Sequence, residues 1–246
     1  TELIAPLNRA VYPAYAQLAK ERDKLMGRFL DVFGLISLIS FPVAVGLFCL
    51  SDLLVGVLLG PQWIEAVPIM QILGLCGLVG ALQGNLYVVM SAMGNPRANT
   101  LLSASLLLIS LPGVIWASFK FGALGAAYVY FVAALIGFVG IVIVFTRVTG
   151  FSKTKLFVAI VRPFVSSCLM FLILSLGKYA IDSRWPLMST IIQLPLLVLL
   201  GVVAYSFAIL LIWILSGQPK GAESNFLKLL FGKFSVIIPY LNRKQF

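Results

Sequence analysis

The sequence predicts an all-α polytopic membrane protein with about six complete transmembrane helices, preceded by the end of another. Three observations carry this. Of the 246 residues, 61% are hydrophobic and 11% charged, and mean hydropathy is +1.07, which leaves too few polar side chains to cover a soluble domain. Six apolar runs are long enough to cross a bilayer, at roughly 32–59, 64–92, 98–119, 121–146, 156–178 and 187–215. Counted over alternate connections, the eighteen Lys and Arg divide fifteen to three. Each run is expected to be helical, because backbone N–H and C=O groups in hydrocarbon must pair within their own segment.

The elements follow in chain order. Residues 1–20, with Pro6 and Pro13, are either the end of a preceding membrane helix bent by its prolines or an amphipathic surface segment. The opening TELIAPLNRA has no basic n-region and no cleavage site, and reads as a cut through a longer protein. The first full run follows the basic residues Lys20, Arg22, Lys24 and Arg28, and GPQW separates it from the second. In the second run Gly74, Gly77, Ala81 and Gly84 form a small-residue stripe that lets a neighbouring helix approach closely. MSAMGNPRAN at 90–99 is a tight turn. Gly94 and Asn95 relieve the backbone, Pro96 opens the next helix and Asn95 is a candidate N-cap.

FKFG separates the third run from the fourth, TRVTGFSKTKL the fourth from the fifth, and GKYAIDSRW the fifth from the sixth. Pro42, Pro68, Pro112, Pro163 and Pro195 are expected to bend their helices. Trp63, Trp116 and Trp185 fall near one set of ends and Trp213 near the other, as interfacial rings do. Residues 1–215 thus form the membrane unit and 216–246 a basic tail, in which Ser224 would cap a short amphipathic helix at 225–235. The positive-inside rule places both ends of the segment in the cytoplasm. The net charge of +10 then answers to membrane orientation and anionic lipid, and a nucleic-acid partner is excluded.

Candidate functional residues are the polar groups set in apolar surroundings. Gln71, Gln83 and Asn85 in the second run either pair between helices or line a wet cavity. Asp52, in the outer part of the first run, snorkels outward, pairs with a neighbouring helix, or serves as an ion- or proton-coupling site; Glu65 reads as interfacial. Arg9 either snorkels to the inner interface or faces a cavity and holds a phosphate. Cys49, Cys76 and Cys168 read as small buried hydrophobes, and there is no histidine. No metal spacing, cofactor motif or catalytic constellation is visible. The short outer loops argue against a multi-span glycan polymerase or ligase, and the chain reads as a non-enzyme.

PLNRAVYPAYAQLAKERDKL, FPVAVGLFCLSDLLVGVLLGPQWIEAVPIMQIL, YVVMSAMGNPRAN and FKFGALGAAYVY, in that order, resemble the C-terminal part of bacterial polysaccharide flippases. These are the Wzx-like transporters of the multidrug/oligosaccharidyl-lipid/polysaccharide exporter superfamily. The likeness rests on Pro13, Pro42, the Gly60–Trp63 turn with Ala66, Gly94, and Gly122, Gly125 and Ala126. It implies a two-lobed inner-membrane transporter, of which this chain is the C-terminal lobe and the N-terminal lobe lies outside it. It implies a substrate of undecaprenyl-pyrophosphate-linked oligosaccharide, destined for lipopolysaccharide O-antigen, capsule or exopolysaccharide. The polysaccharide assembly machinery would be a possible partner, and no cofactor is implied. Arg9 is the one position that the resemblance matches to a phosphate-binding cation; Gln83 and Asn85 as substrate contacts and Asp52 as an ion-coupling candidate come from the reading of the residues alone. Export of drugs or of cell-wall lipid within the same superfamily is the alternative.

Overall fold

The computed structural model describes residues 5–184 and 189–216, with side chains from residue 10 onward. Six α-helices follow one another: α1 (Ala5–Leu18), α2 (Arg22–Leu58), α3 (Val67–Ala92), α4 (Pro96–Thr149), α5 (Lys153–Arg184) and α6 (Thr190–Leu215). A 3-10 turn, Pro61–Ala66, joins α2 to α3. Among the described residues, five helical stretches are long and apolar enough to cross a membrane. The expected Ser224 cap, the short tail helix and Trp185 lie outside the described residues.

One of these stretches is not straight. The 54 residues of α4 would extend about 80 Å as a continuous helix, far beyond a hydrocarbon core of about 30 Å. Gly122 breaks it, with φ 66 and ψ −159, a combination in practice confined to glycine. The chain then returns along itself. A Cβ on Gly113 would stand 3.1 Å from Val129 Cγ1, and one on Gly140 would stand 3.1 Å from Leu102 Cδ1. These contacts make residues 96–121 and 123–149 antiparallel arms, and they coincide with the expected third and fourth runs.

The helices α2 and α3 pack together at the centre of the bundle. The α4 hairpin lies on α3, α5 and α6 lie on α2, and α1 reaches both central helices. One apolar cluster joins α1, α2, α3, the second arm of α4 and the start of α5, around Tyr15, Phe29, Phe33, Leu86 and Phe145. A second joins α2, α5 and α6 around Leu53, Leu174 and Leu197. Much of the remaining apolar surface faces outward, including Leu108, Ile109, Leu199 and Phe207. Such a surface suits lipid.

The helix α2 begins at Arg22 rather than 32. Charges mark the early residues as polar, yet Leu25, Met26 and Phe29 recur at helical spacing and are buried. Phe29 stacks on Phe145 at 5.0 Å between centroids. At the end of a helix projecting towards water, burying such a ring is worth about 1.5–3 kcal/mol, enough to carry the helix past its charged residues. The helix α5 likewise runs on to Arg184, past 178.

Several local expectations need correction. Pro68 sits in the first turn of α3 rather than within it, where its missing N–H costs no helical bond. Pro96 does open α4, but Asn95 makes no side-chain cap. Its amide donates instead to the Met93 carbonyl at 3.4 Å. Cys76 is buried and Cys49 half-buried, while Cys168 is exposed in a groove that α5 forms with α2 and α3.

Because successive arms alternate in direction, Lys20, Arg22, Lys24, Arg28, Arg97, Arg147, Lys153 and Lys155 gather at one end of the bundle. Lys120, Lys178 and Arg184 lie towards the other.

Candidate functional site

Polar side chains inside the bundle form bonds between helices. Gln83 of α3 donates to the Ala134 carbonyl on the second arm of α4 at 3.0 Å. A Cβ on Gly137 would lie 2.9 Å from the same amide nitrogen, so this glycine makes room for the bond. Asn85, fully buried, donates to the Tyr15 hydroxyl of α1 at 3.4 Å. Gln71 donates to the Phe48 carbonyl of α2 at 3.2 Å. Carbonyls already engaged in helical bonding keep a second lone pair for such donors. In hydrocarbon these bonds and close packing, rather than the hydrophobic effect, hold helices together.

The structure thus brings Gln71, Gln83 and Asn85 into contact with three different helices. None of the three lines the grooves of about 530, 440 and 420 Å³ that run beside α2. Arg9 belongs to α1, but its side chain lies outside the described residues. Asp52 pairs with Lys178 of α5, Nζ to Oδ2 at 2.5 Å, with both side chains about one-third exposed. Glu65 is exposed in the 3-10 turn, as an interfacial residue would be.

Two contributors escape a reading of the sequence. Asn99 of α4 donates to the Tyr87 carbonyl at 2.8 Å and to Ser91 Oγ at 2.9 Å, which fastens the hairpin to the end of α3. Tyr205 of α6 donates to the Leu38 carbonyl of α2 at 2.9 Å. Asn99 resembles an ordinary turn residue, and Tyr205 is lost in a run that is apolar all round. Neither carries a signal at its own position.

Open space lies along α2 instead. A groove of about 530 Å³ runs between α2 and α3, and another of about 440 Å³ lies between α2, α5 and α6. Ile39, Val43 and Leu47 border both grooves, and Ile39 and Val43 are exposed. The first groove is walled by Gly74, Gly77 and Ala81, so the small-residue stripe does two things. A Cβ on Gly74 would meet Leu47 Cβ at 3.3 Å, whereas one on Gly77 would meet nothing within 4 Å. Gly74 therefore permits close packing, and Gly77 keeps a groove open. Apolar walls of this kind accommodate hydrocarbon chains. Among the described residues no group of three or more Cys, Asp or Glu could hold a metal ion.

A family model described as "Polysaccharide biosynthesis protein" matches residues 1–68, which cover α1, α2 and the 3-10 turn. The teichuronic acid biosynthesis protein TuaB of Bacillus subtilis is 27% identical over 168 residues, 67% of this chain and 34% of that protein. The lipopolysaccharide biosynthesis protein WzxC of Escherichia coli is 23% identical over 170 residues, 69% of this chain and 32% of that protein. The chain is distantly related to these polysaccharide-biosynthesis proteins. An uncharacterized membrane protein in the cps region of Klebsiella pneumoniae is 23% identical over 125 residues, half of this chain and 26% of that protein. The matches span about a third of TuaB and of WzxC. No solved structure matches the chain.

Proposed function

We propose that this chain is the C-terminal lobe of a non-enzymatic flippase. It would move undecaprenyl-pyrophosphate-linked oligosaccharide across the bacterial inner membrane for surface polysaccharide assembly. The observation that carries this reading is the relationship to TuaB and WzxC across two-thirds of a multi-span helix bundle. The physical task fits such a bundle. A charged, polar headgroup cannot cross bare hydrocarbon at a tolerable cost, so it needs a polar path while its lipid tail stays among apolar walls. The grooves beside α2 are suited to a tail. The headgroup path would lie between this lobe and an N-terminal lobe supplied by the rest of the protein.

In this reading the basic end of the bundle faces the cytoplasm. Arg9 provides a cation for the pyrophosphate. Gln83 and Asn85 would contact sugar through amide groups that their bonds to Ala134 and Tyr15 leave over, or by exchanging those bonds for sugar hydroxyls. Asp52 would couple an ion through its second carboxylate oxygen or by releasing Lys178.

The test uses the full-length protein in its own host. Its deletion is expected to leave lipid-linked sugar intermediates on the inner leaflet, scored by leaflet-selective labelling. Normal outward movement in the deletion strain would overturn the proposal.

A further inference from the structure

At the basic end of the bundle, α2, the close of α4 and the start of α5 enclose a notch of about 470 Å³. Arg22, Asp23 and Lys155 form its polar wall, and Met26, Gly27 and Leu30 its apolar side. The chain turns there at Gly150, where a Cβ would stand 3.3 Å from Arg22 Nη2, so the glycine gives the guanidinium its place. Lys155 Nζ lies 5.7 Å from the centre of the Phe151 ring on the same wall. Lys24 pairs with Glu21 and Lys178 with Asp52, and among the described residues neither Arg22 nor Lys155 is in an ion pair.

We propose that this notch binds the headgroup of an anionic phospholipid, with Arg22 and Lys155 holding its phosphodiester. Charge and shape together select this ligand. Two cations and one carboxylate leave a single net positive charge, which matches a phosphodiester monoanion. Guanidinium and ammonium groups both donate to phosphate oxygens. The glycerol ester and the first carbons of the chains would lie against Gly27 and Leu30 on the apolar side. The notch also lies where helices leave the apolar layer, at the depth of headgroups. The site is independent of the flippase reading, since it lies at the end of the bundle and away from the grooves beside α2.

The experiment is native mass spectrometry of the full-length protein released from mixed vesicles of phosphatidylglycerol and phosphatidylcholine. The wild type is expected to retain phosphatidylglycerol at least several-fold over phosphatidylcholine. The double variant Arg22→Gln/Lys155→Gln is expected to lose that preference. Arg22→Lys should retain it, and so should Lys153→Gln, which removes a cation outside the notch wall. Both notch cations are exposed, so an unchanged thermal transition in each variant checks folding. Equal retention of the two lipids by the wild type, or an unchanged preference in the double variant, would overturn the proposal. Displacement of the bound lipid by millimolar inorganic phosphate would also overturn it, since the site would then be one for free phosphate.

Discussion

Lys178 of α5 donates to Asp52 of α2 across 126 residues of sequence and ties together the ends of these helices away from the basic end. Each side chain keeps about a third of its surface exposed, so the pair is partly screened. Screened pairs contribute about 0.2–1 kcal/mol. Asp52→Asn and Lys178→Met should therefore each lower the thermal midpoint by only a few degrees. In a double-mutant cycle the two effects should be clearly less than additive. The same Asp52→Asn protein tests ion coupling: transport with unaltered pH and sodium dependence would remove Asp52 from that role.

The reversal at Gly122 gives a geometric prediction. Cysteines replacing Leu102 and Gly140 should cross-link rapidly on oxidation, because a Cβ at 140 lies 3.1 Å from the Leu102 side chain. A continuous helix would hold those positions about 57 Å apart and give no cross-link. At the corner itself, Gly122→Ala forces a side chain into a backbone region that costs about 1–3 kcal/mol. Lower yield and a lower thermal midpoint are expected, with the 102–140 cross-link still forming in the surviving fraction.

Gln83 and Gly137 should behave as one unit. A Cβ at position 137 would stand 2.7 Å from Leu106 Cδ1 and 2.9 Å from the Gln83 amide. Gly137→Ala must therefore move Leu106 and loosen the bond to Ala134 together, at a cost of about 1–3 kcal/mol. Gln83→Leu removes the bond alone and should cost about 1 kcal/mol. If Gln83 also serves sugar binding, Gln83→Leu should reduce transport at unchanged protein level, measured as outer-leaflet intermediate per molecule. Unchanged transport would confine the residue to packing.

The reach of the sequence follows the same division between local and distant signals. Spans were legible because apolar run length and loop charge are local quantities. The corner at Gly122 was legible for the same reason, as FKFG interrupts two long runs. Helix ends were less so: charged residues at 22–31 hide an apolar stripe whose partners, Phe145 and Phe151, lie more than a hundred residues away. The polar residues illustrate the remainder. Gln71, Gln83 and Asn85 stood out from their surroundings, yet their partners include two backbone carbonyls, and every residue offers one of those. Ion pairing of Asp52 was among the readings left open, and only the fold identifies Lys178 as its partner.

The contrast between Gly74 and Gly77 gives the most direct test of the groove beside α2. Both belong to the same small-residue stripe, one turn apart, and both would read alike in a sequence. Gly74 is in contact: its Cβ would meet Leu47 at 3.3 Å and the Ala44 carbonyl at 3.9 Å. Gly74→Phe should therefore push α2 and α3 apart and reduce the folded yield sharply. Gly77 faces open space, with nothing within 4 Å of its Cβ, and it borders the groove of about 530 Å³. Gly77→Phe should fold with a thermal midpoint near that of the wild type while its ring occupies the groove. If the groove receives the substrate's lipid tail, Gly77→Phe should lower transport several-fold, whereas Gly77→Ala should leave it near normal. A folded Gly77→Phe protein with full transport would show that the tail travels elsewhere, and would leave the groove as ordinary lipid-facing surface.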